Sequence, residues 1–269
     1  LYHELKAKHL DRLTLQHYNQ ILASCAPKKL MLKWYKPYKD YVDMYYEAGK
    51  FIPAERLEEA NRVLRDIETS PLSLRPDIVT YNTMMKVQLS GGISNVVNVF
   101  ETFNQLQRVS QRNRKTADVI SFTTLLRACS LLERVDVAEE IYSFVVHSFA
   151  NRNIKSAEQS QQEKWQVQTE SDLPIHFFNT MLDVYAEVGS PYAETFFRQM
   201  LQQKLPVDGV TFNTYAKSCI FRDDRVKLVE IPELMRVEGV LQRDLSHPVR
   251  AEINAAYNKY TAPLKFKEE

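Results

Sequence analysis

The chain has 269 residues, 44% of them hydrophobic, enough for one or two ordinary domains or one elongated repeat domain. Its formal net charge of +1 excludes bulk attraction to nucleic acid, so any basic partner surface has to be local. Six glycines among many Leu, Glu, Lys and Arg favour helix. Three widely spaced cysteines, Cys25, Cys129 and Cys219, argue against a disulfide framework and offer no zinc pattern. No apolar run approaches the roughly 20 residues that span a bilayer. The opening Leu1-Tyr2-His3 is no signal or transit peptide, which fits a processed product or a fragment.

Taken in order, residues 1–10 have the pattern of a helix end. A helix is predicted from Thr14, with Leu15, Tyr18, Ile21, Leu22 and Cys25 on one face and Pro27 as its stop. A basic, aromatic stretch follows at 28–39. Tyr38, Tyr41, Val42 and Tyr45 predict a helix ending at Gly49. Pro53 opens the next, striped by Leu57, Ala60, Val63, Leu64 and Ile67. The helix from Val79 ends near Gly91-Gly92, and its partner carries Val96, Val99, Phe100 and Phe103.

A polar loop with Arg108, Arg112, Arg114 and Lys115 is expected next. Phe122, Leu125, Leu126 and Cys129 then face Ala138, Ile141, Tyr142 and Val145. Residues 150–172, rich in Gln, Ser and Glu, predict a mobile insertion between helix pairs. Phe178, Met181, Leu182 and Tyr185 pair with Ala193, Phe196, Phe197 and Met200. A first helix from Val210 carries Phe212, Tyr215, Ala216 and Cys219. Its partner is less regular because Pro232 falls inside it, and a capping helix at 249–260 ends at Pro263.

One string recurs. Pro76-Asp77-Ile78-Val79-Thr80-Tyr81-Asn82-Thr83 returns as Val207-Asp208-Gly209-Val210-Thr211-Phe212-Asn213-Thr214, with looser copies at 117–126 and 173–182. In register, the aromatic column reads Tyr18, Tyr38, Tyr81, Phe122, Phe178 and Phe212. The next column reads Asn19, Lys39, Asn82, Thr123, Asn179 and Asn213. A helical hairpin cannot bury its apolar face alone, so these columns predict an all-α fold of stacked hairpins.

The string resembles the pentatricopeptide repeat family, and Ala138-Glu139-Glu140-Ile141-Tyr142 and Ala193-Glu194-Thr195-Phe196-Phe197 resemble its second helix. The tetratricopeptide family is the close alternative, but its Trp-Leu-Gly-Tyr signature is absent. The resemblance covers fair repeats near 78–118, 119–149, 175–208 and 209–243, with a weaker one at 35–77. It leaves 1–34 as N-terminal helices or a partial repeat, and 244–269 as a cap and tail. It implies a right-handed superhelical solenoid binding single-stranded RNA, about one base per repeat read by two or three side chains.

By that resemblance Asn82 with Asp118, and Asn179 with Asp208, are uridine readers. Thr123 starts its repeat, but the insertion places Pro174 at the end. Asn213 pairs with Arg243 or Asp244, depending on register, and Lys39 with Asp77. Val79, Ile120 and Val210 flank bases, while His176 replaces the aliphatic residue. The chemistry holds without the family. A side-chain amide presents a donor and an acceptor side by side, matching the edge of a base. The competing structural account is that these are ordinary cap and turn residues.

Lys28, Lys29, Lys33, Lys36 and Lys39, interleaved with Trp34, Tyr35 and Tyr38, suit either phosphate contacts and base stacking or a solvated amphipathic face. No HExxH, phosphate loop or GxSxG occurs, so neither an enzyme nor a cofactor is expected. The resemblance implies a mitochondrial protein of RNA processing, stability or translation. The alternatives are a structural subunit of a large ribonucleoprotein such as the mitochondrial ribosome, gripping ribosomal RNA and neighbouring proteins, and a protein-binding scaffold.

Overall fold

The computed structural model describes residues 13–26, 54–70, 74–113, 117–159 and 173–265, and among them all regular structure is helical. The helices are α1 (Leu15–Cys25), α2 (Ala54–Glu68), α3 (Ile78–Leu89), α4 (Ile93–Asn113), α5 (Val119–Leu132) and α6 (Val135–Gln159). They continue with α7 (Ile175–Glu187), α8 (Tyr192–Gln202), α9 (Gly209–Phe221), α10 (Arg225–Val237) and α11 (His247–Lys265), the last preceded by a 3-10 turn, Gln242–Asp244. They divide into two compact units, one ending at Leu132 and one starting at Glu133. Lys28, Lys29, Lys33, Lys36 and Lys39, the helix through Tyr38, and Arg114 and Lys115 lie outside the described residues.

In the first unit α1 packs on α2 and α3, and α3 packs on α4 and α5. Tyr18, Leu22 and Cys25 of α1 are buried with Ala60, Val63, Leu64 and Ile67 of α2 and with Met84 and Val87 of α3. Each fully buried large apolar side chain contributes about 1.5–3 kcal/mol. The α2 stripe therefore packs on both α1, across a long chain separation, and α3. In the second unit α7 packs on α6, α8 and α9, and α9 packs on α10 and α11. There the aromatic residues interlock. Tyr142 stacks on Phe177 at 5.7 Å and Phe197 on Tyr215 at 4.0 Å.

The aromatic column is core wherever it is described: Tyr18, Tyr81, Phe122, Phe178 and Phe212 are all buried. On the second helices, the aligned Ala60, Val96, Ala138 and Ala193 are all buried, and of the aligned Val63, Val99, Ile141 and Phe196 all but the half-buried Ile141 are. Asp77 starts α3 and Asp208 starts α9 by accepting the backbone N–H of Thr80 (2.8 Å) and Thr211 (2.9 Å). Gly189 (φ +62) ends α7 in the left-handed conformation, and a Cβ there would lie 2.1 Å from the Phe221 ring. With glycine scarce, other helices end on non-glycine residues in that region: Glu133, Lys204 and Asp223, at φ 58, 55 and 55.

Several predicted boundaries are corrected. Positions 108 and 112 are not in a loop, because α4 runs unbroken to Asn113. The polar stretch from 150 does not interrupt the structure at once, because α6 continues to Gln159. Neither segment contains Gly or Pro, and polarity alone does not break a helix. Helix α10 passes through Pro232, anchored by buried Leu228, Ile231 and Met235. Helix α11 begins at His247 and passes through Pro263 instead of ending there.

Two changes in stability are expected. In urea titrations Gly189→Ala costs about 1–3 kcal/mol, from its left-handed φ and the Phe221 clash. Lys204→Gly gains roughly 0.5–1 kcal/mol at an exposed left-handed site. Burial also pushes the Cys25 thiol up and the Cys219 thiol up to about 12, and Cys129 is buried. All three should stay silent to a thiol reagent at neutral pH until the chain is unfolded.

Candidate nucleic-acid interface

The predicted Asn–Asp pairs exist as hydrogen-bonded side chains. Asn82 Nδ2 donates to Asp118 Oδ1 at 3.1 Å, and Asn179 Nδ2 donates to Asp208 Oδ1 at 3.1 Å. Each carboxylate also caps the helix that follows it. Asp118 accepts the Ser121 N–H at 2.8 Å, as Asp208 accepts that of Thr211. The hydroxyls of Ser121 and Thr211 reach back to the Oδ1 atoms of Asn82 (2.7 Å) and Asn179 (2.8 Å). Each hydroxyl has one proton, and the asparagine oxygen has no other donor described, so the proton belongs there. This also fixes the amide orientation, since the flipped form would face oxygen to carboxylate.

A third copy was missed by the sequence reading, which assigned Lys39 to Asp77. Asn19 Nδ2 donates to Asp77 Oδ1 at 3.4 Å, and the Thr80 hydroxyl donates to Asn19 Oδ1 at 2.8 Å. Asn19 follows Tyr18 in the aligned columns, and that was the available signal. A long chain separation and a second tyrosine at position 38 concealed it.

The other two predicted positions differ. The Thr123 hydroxyl turns back to the Val119 carbonyl at 2.7 Å, and Pro174, the N-cap of α7, brings no polar side chain. Asn213 selects Asp244 over Arg243, but through the backbone. Its Nδ2 donates to the Gly209 carbonyl at 2.5 Å and to the Asp244 carbonyl at 3.1 Å, while its Oδ1 accepts the Ser246 N–H at 2.8 Å. Gly209 permits that approach, since a Cβ there would lie 2.7 Å from Asp244 Cβ. The Asn213 amide is thus saturated, and it is only 4% exposed.

Beside the triads stand exposed apolar side chains. Val79 is 56% exposed, Ile120 59% and Val210 52%, each immediately before the residue that caps with the aspartate. His176, in the matching place on α7, is exposed as well. Water-facing aliphatics in register offer platforms for flat ligands, at a cost in solvation that packing does not repay. Accessibility of the amides is unequal. Asn19 and Asn82 are half-buried, whereas Asn179 is buried. Arg108 is exposed on α4.

One turn beyond Asn179 lies a buried ion cluster. Lys217 Nζ on α9 donates to Asp183 Oδ1 at 3.0 Å and to Glu187 Oε1 at 2.5 Å, both on α7. Burial opposes the lysine charge, but the two carboxylates outweigh it and the ammonium titrates above the ordinary lysine range. Among the described residues no cluster of three or more His, Cys, Asp or Glu is placed to hold a metal, and no helix is long and apolar enough to cross a membrane.

No protein-family model matches the chain, and no curated protein matches it significantly.

Removing one partner of a buried ion cluster strands the others. Lys217→Met should lower the unfolding free energy by about 3–5 kcal/mol, and adding Glu187→Gln should recover part of it. Additive losses in that double-mutant cycle would show that the two side chains are not coupled.

Proposed function

We propose that this chain is a pentatricopeptide-type helical-repeat protein that binds single-stranded RNA, built as a right-handed solenoid and working in mitochondrial RNA processing, stability or translation. The observation that carries this reading is the repetition, in register, of an Asn–Asp pair beside an exposed aliphatic residue. In each pair one asparagine N–H and one carboxylate oxygen remain outside the bonds described above. Together they complement a base edge carrying an acceptor next to an N–H donor, as uracil does. The neighbouring aliphatic side chain would cover the flat face of that base. The role is recognition, with no catalytic step.

A second reading, a structural subunit of an organellar ribonucleoprotein such as the mitochondrial ribosome, draws on the interruptions. A code broken at Thr123 and closed at Asn213 suits a protein that grips ribosomal RNA and neighbouring proteins by shape. A scaffold that binds only proteins would need no base-edge chemistry at all.

Fluorescence anisotropy with uridine, cytidine and adenosine oligomers tests the first reading. Asn19→Ala plus Asn82→Ala should reduce the preference for uridine by about tenfold or more, from roughly 1–3 kcal/mol per two-bond base contact. A wild type without base preference, or a double variant that keeps it, sinks base reading. Co-sedimentation of the native protein with ribosomal subunits would then favour the second.

A further inference from the structure

Each triad has a third member that an Asn–Asp pair does not by itself require. Three residues after the capping aspartate stands a hydroxyl: Thr80 after Asp77, Ser121 after Asp118 and Thr211 after Asp208. All three residues are fully buried, so water does not compete for their protons. In two of them the hydroxyl oxygen also accepts the backbone N–H of its own aspartate, at 3.2 Å for Thr80 and 3.1 Å for Thr211. The single hydroxyl proton goes to the asparagine Oδ1 on the preceding first helix.

The chain carries its own comparison. At the next place in the column Asn213 has its aspartate, Asp244, but three residues on stands His247, which brings no hydroxyl. There the asparagine Oδ1 accepts a backbone N–H, and its Nδ2 donates to two carbonyls, so no amide proton is left over. In the repeat that starts at Thr123 all three members are replaced together, with Thr123 for the asparagine, Pro174 for the aspartate and Phe177 for the hydroxyl. Among the described residues, the side-chain Asn–Asp pairs of this column occur only where the hydroxyl stands beside them.

We propose that Thr80 and Ser121 are positioning residues that set which base the half-buried amides of Asn19 and Asn82 prefer. This rests on the RNA-binding reading above. With the amide oxygen occupied by the hydroxyl proton, the group left at the seam is an N–H donor beside the second carboxylate oxygen. That arrangement takes a carbonyl next to an N–H, as in uracil. In the same placement cytosine turns a ring-nitrogen lone pair toward the carboxylate. Removing the hydroxyl leaves the asparagine oxygen open to accept an amine, such as cytosine carries. Preference should then narrow while binding persists, unlike the loss of contact expected when the asparagine itself is removed.

The test uses the whole chain, uridine and cytidine oligomers of equal length, and NMR of the asparagine side-chain amides without RNA. Thr80→Val plus Ser121→Ala is the main variant. Thr80→Ser plus Ser121→Thr keeps both hydroxyls, and Gly189→Ala is a destabilised control that touches no triad. The uridine-to-cytidine affinity ratio should fall by about two- to tenfold for each hydroxyl removed, the size of one net hydrogen bond. In Ser121→Ala the Asn82 amide protons should exchange faster with solvent. The hydroxyl-keeping variant and Gly189→Ala should match the wild-type ratio. If the double variant does not fold, Ser121→Ala alone is read by the same criteria.

A ratio unchanged by loss of the hydroxyls, in a protein that prefers uridine, overturns the positioning role and leaves base reading standing. A ratio that falls equally in Gly189→Ala assigns the effect to stability and overturns the role as well. A wild type that binds uridine and cytidine alike overturns both.

Discussion

The aspartate at the start of a first helix does two things with one oxygen. It accepts the N–H groups that the helix cannot satisfy itself, and it accepts the amide of an asparagine on the preceding first helix. A cap is normally a local device worth about 1 kcal/mol. Here the same carboxylate is also a tie between hairpins, so the cap position fixes where one helix starts relative to its neighbour. Once that is set, the buried aromatic one residue before the asparagine must enter the layer beneath it. The exposed aliphatic two residues after the aspartate must then face water. Stacking register and surface chemistry follow from a single hydrogen-bonding constraint.

The constraint also separates open positions from closed ones. A tie made by two side chains engages one carboxylate oxygen and one amide proton, leaving hydrogen-bonding capacity at the seam. The tie at Asn213 is made to backbone, at the Asp244 carbonyl and the Ser246 N–H, and uses the amide fully. Gly209 is what makes the second form possible, by letting the 3-10 turn approach the start of α9. This tie holds α11 against α9 and exposes no unpaired amide.

Much of this was legible because it is periodic. The aromatic column could be read from the chain alone, and every described member is buried, since a large residue at fixed helical phase has one place to go. Asn82 with Asp118 and Asn179 with Asp208 were legible for the same reason. Asn19 with Asp77 was not, because the chain returns to α1 only after a long excursion and a second tyrosine, Tyr38, mimics the phase. The Asn213 tie was invisible in another way, since a side-chain pattern cannot show that the partner is backbone. Helix ends at 113 and 159 were misplaced because composition reports solvation, whereas only Gly, Pro or a competing cap reports termination.

Charge adds information that hydrophobic periodicity cannot. A net charge of +1 conceals how the cations are disposed. Six residues after the triad hydroxyls stand Lys86 and Arg127 in one unit, and in the other Lys217, which pairs with Asp183. Burial follows the pairing: Lys217 is buried because Asp183 and Glu187 offset the desolvation of its ammonium, whereas Lys86, with no acid on its own helix, stays exposed.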